Sequence, residues 1–134
     1  MTTNTMTLSS TRGQFICVLL VALVDLSDRV PMKREVVHHI EKCGYLKLPT
    51  SFSQQSYDSK TEPQWVTELC QARRDAIDQG FLNRLKYQDA WEINKSGESR
   101  VAYFEEIFRN GSLDTSTCTF LSPAFLKRMA VQSP

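Results

Sequence analysis

Apolar residues recur at helical spacing in several stretches of this chain, and the first of them is apolar almost all the way round. Over 12–27 it carries Phe15, Ile16, Leu19, Leu20, Leu23 and Leu26. A helix with so little polar surface belongs at the centre of a core. Thr11-Arg-Gly-Gln14 has capping-box form, with the Thr hydroxyl accepting from a free helix N–H and Gln14 reaching back. Arg29-Val-Pro-Met32 breaks the periodicity, and Pro31, which has no N–H, fits a short extended piece or a helix entrance. A second helix follows over Lys33–Cys43, with Val36, Val37 and Ile40 as its stripe and Gly44 as its stop. Residues 44–62 show no period. Tyr45, Leu46, Leu48 and Phe52 should pin part of this loop, which is long enough to hold a helical turn or a function.

Thr61-Glu-Pro-Gln64 again has capping-box form, with Pro63 in the first turn, where a missing N–H costs little. The helix it opens runs to Gln79 and stops at Gly80. Trp65, Leu69, Ala72 and Ala76 share one face, with Val66 and Ile77 beside them; Gln64, Thr67, Gln71, Arg74, Asp75 and Asp78 lie opposite. Residues 81–86 and 90–94 then read as antiparallel strands with Tyr87-Gln-Asp89 at the tip, Trp91 and Ile93 facing the core. Asn94 suits the N-cap of a helix over Lys95–Arg109, which Asn110-Gly111 ends. A last amphipathic turn or two is expected over Pro123–Ala130, through Phe125, Leu126 and Met129. The organisation expected is a flexible tail (1–10), one domain (11–110) and a C-terminal extension (111–134).

This order, helix, helix, amphipathic helix, hairpin, is that of a mainly α winged helix-turn-helix with a small β-hairpin wing. Charge sharpens the picture. The formal net charge is only +1, so nucleic-acid binding needs a local arrangement of Lys and Arg. The candidate base readers are Gln64, Thr67, Gln71 and Arg74, because Gln can pair with adenine and Arg with guanine through two parallel hydrogen bonds. Lys60, Thr61, Arg84 and Lys86 are the candidate phosphate contacts, Thr61 through the free N–H groups of the helix start. Against them stand Glu68, Asp75 and Asp78, acids that repel phosphate from the same helix. Arg73 points to the buried side, where it pairs with a carboxylate or stacks on an aromatic ring.

Other chemistry finds less support. Cys17, Cys43, Cys70 and Cys118 form no CxxC pair, and Cys17 and Cys70 read as small core residues, so reduced thiols and a cytoplasmic protein are expected. His39 and Cys43 share a helix face, but two ligands do not close a zinc site; a surface histidine and a buried thiol are the plainer reading, with His38 on another side. Asp58-Ser-Lys60 matches half of a nuclease metal site, yet Asp25 and Asp28 end a helix and cannot supply the acidic ligand from a paired strand. No catalytic residue, metal or cofactor is expected. The run Phe15 to Val24 is too short to span a bilayer and is followed at once by aspartates, which argues against a signal peptide and a membrane partner.

Pro63-x-Trp65, then Ala72-Arg73-x-Asp75, then Gly80-Phe-Leu82 resembles the N-terminal winged-helix region of Mrr-type restriction proteins. That pattern has a Trp near the helix start, an Ala-Arg-x-x-Leu core, and Gly-Leu-Leu before a wing ending in Trp-x-Ile-Thr. Lys33-Arg-Glu-Val36 stands in the place of the family's Lys-Lys-Glu-Val, so the likeness runs over residues 15–101. Gln71 replaces a frequent aromatic residue, Ala76 a frequent Leu, and the wing tip lacks glycine. The family's region is normally joined to a nuclease domain, for which these 134 residues leave no room. The resemblance thus implies a DNA-binding fold without cleavage, as a regulator or as the targeting module of a restriction or defence system. Double-stranded DNA is the expected partner, with a homodimer on paired half-sites. The alternative is a docking or dimerisation module that binds no DNA, using Leu113, Phe120, Leu121, Phe125 and Met129 of the extension as an interface unless they pack back on the domain.

Overall fold

The computed structural model describes residues 8–53, 62–86, 89–111 and 115–130. The protein is mainly helical, with a small two-stranded antiparallel sheet. Helix α1 (Thr11–Asp25) is the axis of the molecule, and every residue from Gly13 to Leu23 is buried. Each Leu, Ile, Val or Phe so enclosed contributes about 1.5–3 kcal/mol relative to exposure. Helices α2 (Lys33–Cys43), α4 (Gln64–Asp78) and α5 (Lys95–Arg109) pack against it, and the short α3 (Thr50–Ser53) packs on α4.

The start of α1 differs from the expected capping box. Ser10 is the N-cap, its hydroxyl accepting from Gly13 N at 2.9 Å. This places Gln14 one position too deep to reach back to the cap. It is fully buried instead, donating from Nε2 to Thr117 O at 3.2 Å and accepting from Phe120 N at 2.6 Å. Adjacent Ser10 and Thr11 both suit a cap, and the choice between them decides what Gln14 does.

Helix α2 buries Val36 and Ile40 and ends at Gly44. Ahead of it the extended piece at Pro31–Met32 pairs with the chain near Ala90: Trp91 N donates to Pro31 O at 2.9 Å and Lys33 N to Asp89 O at 2.7 Å. The expected hairpin is present but shorter than its strand-like sequence. Strands β1 (Leu82–Asn83) and β2 (Glu92–Ile93) pair as Leu82 with Ile93 and Asn83 with Glu92. Residues 90 and 91 also pair with the piece before α2. Trp91 is buried and Ile93 packs at the core edge, as their shared face predicts.

Gly80, at φ +87°, lets the chain leave α4 in the left-handed region and turn into the hairpin. Asn94 fixes the other end. Its Oδ1 accepts from Gly97 N at 3.0 Å, while Nδ2 donates to Gly80 O at 3.0 Å and Asn83 Oδ1 at 3.1 Å. One side chain thus caps α5 and ties it to the base of the hairpin.

The C-terminal segment packs back on the domain. A 3-10 turn (Thr115–Thr117) leads to α6 (Pro123–Ala130), whose Phe125 and Met129 are fully buried, as is Leu121 to within 2%. Phe120 meets Phe15 and Phe52 at ring-centroid distances of 5.6 and 5.0 Å. Leu46 bridges Leu121, and Lys47 N donates to Phe120 O at 2.8 Å. The interface alternative for Phe120, Leu121, Phe125 and Met129 is therefore not what these residues do; Leu113 lies outside the described residues.

Gly97 identifies a close approach. A Cβ there would lie 2.3 Å from Phe81 O and 2.5 Å from Ile93 Cγ1. Gly97→Ala should lose about 1–3 kcal/mol in urea unfolding, since backbone has to move. The exposed control Ser99→Ala should stay within about 0.5 kcal/mol. Equal stability of the two variants would mean that α5 does not press on the hairpin.

Candidate nucleic-acid interface

Helix α4 has one buried face (Trp65, Val66, Leu69, Ala72, Ala76) and an outward row at three- and four-residue steps: Gln64, Thr67, Gln71, Arg74 and Asp78. Gln71, Arg74 and Asp78 are exposed; Gln64 and Thr67 are half-buried. The helix begins one step after Pro63, which is the cap and offers no side-chain bond, and its first turn holds no acid. Pro63 thus sits two positions earlier in the helix than the capping pattern predicts, ahead of the first turn rather than within it. Lys60 and Thr61, and with them the expected capping box and the helix-start phosphate contact, lie outside the described residues.

Two of the three acids that weigh against phosphate binding are engaged elsewhere. Arg12 of α1 donates from Nε to Glu68 Oε2 at 2.6 Å and from Nη1 to Asp75 Oδ2 at 2.8 Å. Burial alone would lower the Arg12 guanidinium, but these two carboxylates outweigh it and hold it above its ordinary value. Asp78 remains on the outward row, 3.8 Å from Arg84 Nη2 with both side chains in solvent. An exposed contact of that length restrains little.

On the other flank of α4 the charges are of the opposite sign. Arg73, Arg74, Arg84 and Lys86 line one open notch of about 450 Å³ between α4 and the hairpin, with Asp78 as its acid. Arg84 and Lys86 are exposed, as phosphate contacts should be. Of the two roles open to Arg73, the aromatic one is taken: its Cζ lies 5.5 Å from the centroid of the Trp91 ring. Helical spacing alone does not reveal the convergence of Arg73 with the hairpin cations, although the Arg73-Arg74 pair ahead of a basic hairpin is a signal for it.

A larger cleft of about 550 Å³ separates the N-terminal parts of α2 and α4. It carries both signs (Lys33, Arg34, Glu41, Glu62, Asp89), and Lys33 already pairs with Glu62 at 2.5 Å. Size does not decide here, because its charges are mixed in sign and Lys33 and Glu62 already satisfy each other.

The remaining titratable cluster joins four elements. Asp25, at the end of α1, accepts from Tyr45 OH, lies 3.0 Å from His39 Nε2, and accepts from Arg128 Nη2 at 2.8 Å; Arg128 Nη1 also reaches Glu105 at 3.1 Å. Cys43 Sγ stands 3.7 Å from His39 Nε2 and is half-buried rather than buried as expected. His39 is likewise half-buried, while His38 is the exposed one. Cys17 and Cys118 are buried and Cys70 is half-buried, and none of the four cysteines forms a disulfide. Among the described residues no three His, Cys, Asp or Glu side chains converge to hold a metal, and Asp58 lies outside them. No described helix is long and apolar enough to cross a membrane.

Comparison of the chain with family models, with curated proteins and with solved structures returns no match.

The Asp25 cluster makes a pH prediction. Burial would raise this carboxyl, but hydrogen bonds from Tyr45, His39 and Arg128 outweigh it and hold it below its ordinary value. A carboxyl lowered by folding stabilises fully above its unfolded pKa of about 3.9 and loses that contribution as pH falls through the lower folded value. Asp25→Asn should therefore cost about 2 kcal/mol at neutral pH and flatten the loss of stability in acid. Parallel stability curves against pH for the two proteins would rule this out.

Proposed function

We propose that this protein is a winged helix-turn-helix that binds duplex DNA without catalysis, laying α4 in the major groove and the hairpin along the backbone. Three features support the fold reading. They are the order helix, extended piece, helix, helix, hairpin, helix; the pairing of the extended piece with the hairpin near Ala90; and the resemblance to the N-terminal region of Mrr-type restriction proteins. The observation that carries the function is the separation of charge about α4. Arg12 holds Glu68 and Asp75 on one flank, while Arg74, Arg84 and Lys86 gather on the other beside the exposed Gln71.

In this reading Gln71 meets adenine N6 and N7, and Arg74 meets guanine O6 and N7, as the exposed members of the outward row. Gln64 and Thr67, half-buried, contribute shorter-range contacts near the helix start. Arg84, Lys86 and the N-terminal pair Lys60 and Thr61 take phosphates. Binding as a two-fold homodimer on paired half-sites is the natural assembly for such a module. Its role as a regulator or as the targeting part of a restriction or defence system, and its cytoplasmic location, rest on the resemblance and on thiol usage. The competing reading, docking of a protein through the C-terminal extension, loses the apolar side chains it needs to the core.

Fluorescence anisotropy with a mixed-sequence duplex at low and moderate salt tests the proposal. Binding should fall steeply as salt rises. Arg84→Ala together with Lys86→Ala should weaken it and lower the salt slope by about 1.8, two contacts at about 0.9 each. Absence of binding at low salt, or an unchanged slope in the double variant, overturns this docking face.

A further inference from the structure

We infer that Arg73 is the fixed element of a phosphoryl-oxyanion site in the notch between α4 and the hairpin, held in place by Trp91 and completed by Arg84 and Lys86. The inference rests on the DNA-binding reading for its ligand, neighbouring phosphodiester groups of the duplex of which Arg73 takes one, and assigns to Arg73 a contact that its half-buried position conceals.

Arg73 differs from the arginines that reach a carboxylate, and it lines the notch together with other cations. Arg12, Arg29, Arg84 and Arg128 each lie within 4.0 Å of an acid. Arg73 forms no ion pair among the described residues, and its buried Nε has no hydrogen-bond partner. Burial, with repulsion from Arg84 and Arg74 among the smaller causes, holds its guanidinium below the ordinary value, and Asp89 acts on it only from beyond ion-pair distance. A partly desolvated cation beside other cations costs stability unless an anion meets it.

The ring explains how the fold sustains that cost. Trp91 is 2% exposed and cannot move without disturbing the core, so its ring is a fixed wall that holds the guanidinium 5.5 Å from its centroid. An arginine fixed in this way loses little rotamer freedom on binding, and its planar fork matches two phosphate oxygens. Arg84 and Lys86 approach from the hairpin while Arg73 sits on α4, so an anion in the notch meets cations from two elements. The single acid, Asp78, is exposed and free to turn away.

The test uses the full chain and the variants Arg73→Gln and Arg73→Lys, with urea unfolding run on each. Two probes are titrated: a mixed-sequence duplex followed by anisotropy, and inorganic pyrophosphate followed by the Arg73 side-chain N–H resonance. The wild type should bind the duplex and shift that resonance with pyrophosphate. Arg73→Gln should lower the duplex salt slope by about 0.9. Arg73→Lys should keep the slope and lose several-fold in affinity, because the charge remains and the fork does not. If the wild type binds DNA and Arg73→Gln keeps slope and affinity, the Arg73 site is wrong while the DNA-binding reading stands. A stability change alone in that variant also overturns the site, since it marks Arg73 as a cover for Trp91. If DNA does not bind but pyrophosphate shifts the resonance, the site stands with a free phosphate as its ligand, and the DNA-binding reading falls. Failure of both probes removes both.

Discussion

A helix without a polar face has no stable place in water until other elements surround it, and α1 is such a helix. Its buried run from Gly13 to Leu23 demands cover on all sides. The rest of the chain supplies it: α4 and α5 lie against it, α2 closes one side, and the C-terminal segment seals the remainder through Phe120, Leu121 and α6. Gln14 is the polar pin in this wall. It satisfies two backbone groups of the C-terminal segment inside the core, where an unpaired amide would cost about 1–3 kcal/mol. Around that enclosure Gln71, Arg74 and Asp78 of α4 and the hairpin residues Arg84 and Lys86 stay exposed.

The same contact between α1 and α4 shapes the electrostatics. Arg12, in the first turn of the central helix, reaches Glu68 and Asp75 on α4 and offsets one of their two negative charges. The cations on the opposite flank receive no such partner from α1. A chain with almost no net charge thereby presents a locally basic notch, and the effective charge of α4 depends on a residue far away in sequence.

Local signals made the helices legible. The stripe of α2 with Gly44, the Asn94 cap of α5, and Pro123–Ala130 all appear where capping chemistry and period place them. What periodicity could not convey was pairing between distant segments. The strand-like stretch 81–86 suggested a longer hairpin, but residues 90 and 91 pair with Pro31–Lys33, and no local rule announces that. Gln14 read as a cap residue because Ser10 and Thr11 compete for the same role. For the candidate site, the outward row of α4 followed from helical spacing, whereas the pairing of Arg12 with Glu68 and Asp75 and the place of Arg73 over Trp91 required the packed structure.

The central claim is that α4 and the hairpin form the surface that meets duplex DNA. Chemical-shift mapping of the isotope-labelled full chain against a mixed-sequence duplex addresses it residue by residue. The account predicts that the largest changes fall on Gln71, Arg74, Arg84 and Lys86, with α5 and α6 little affected. Changes concentrated on α6 or on the cleft between α2 and α4, or no changes at all, would contradict it.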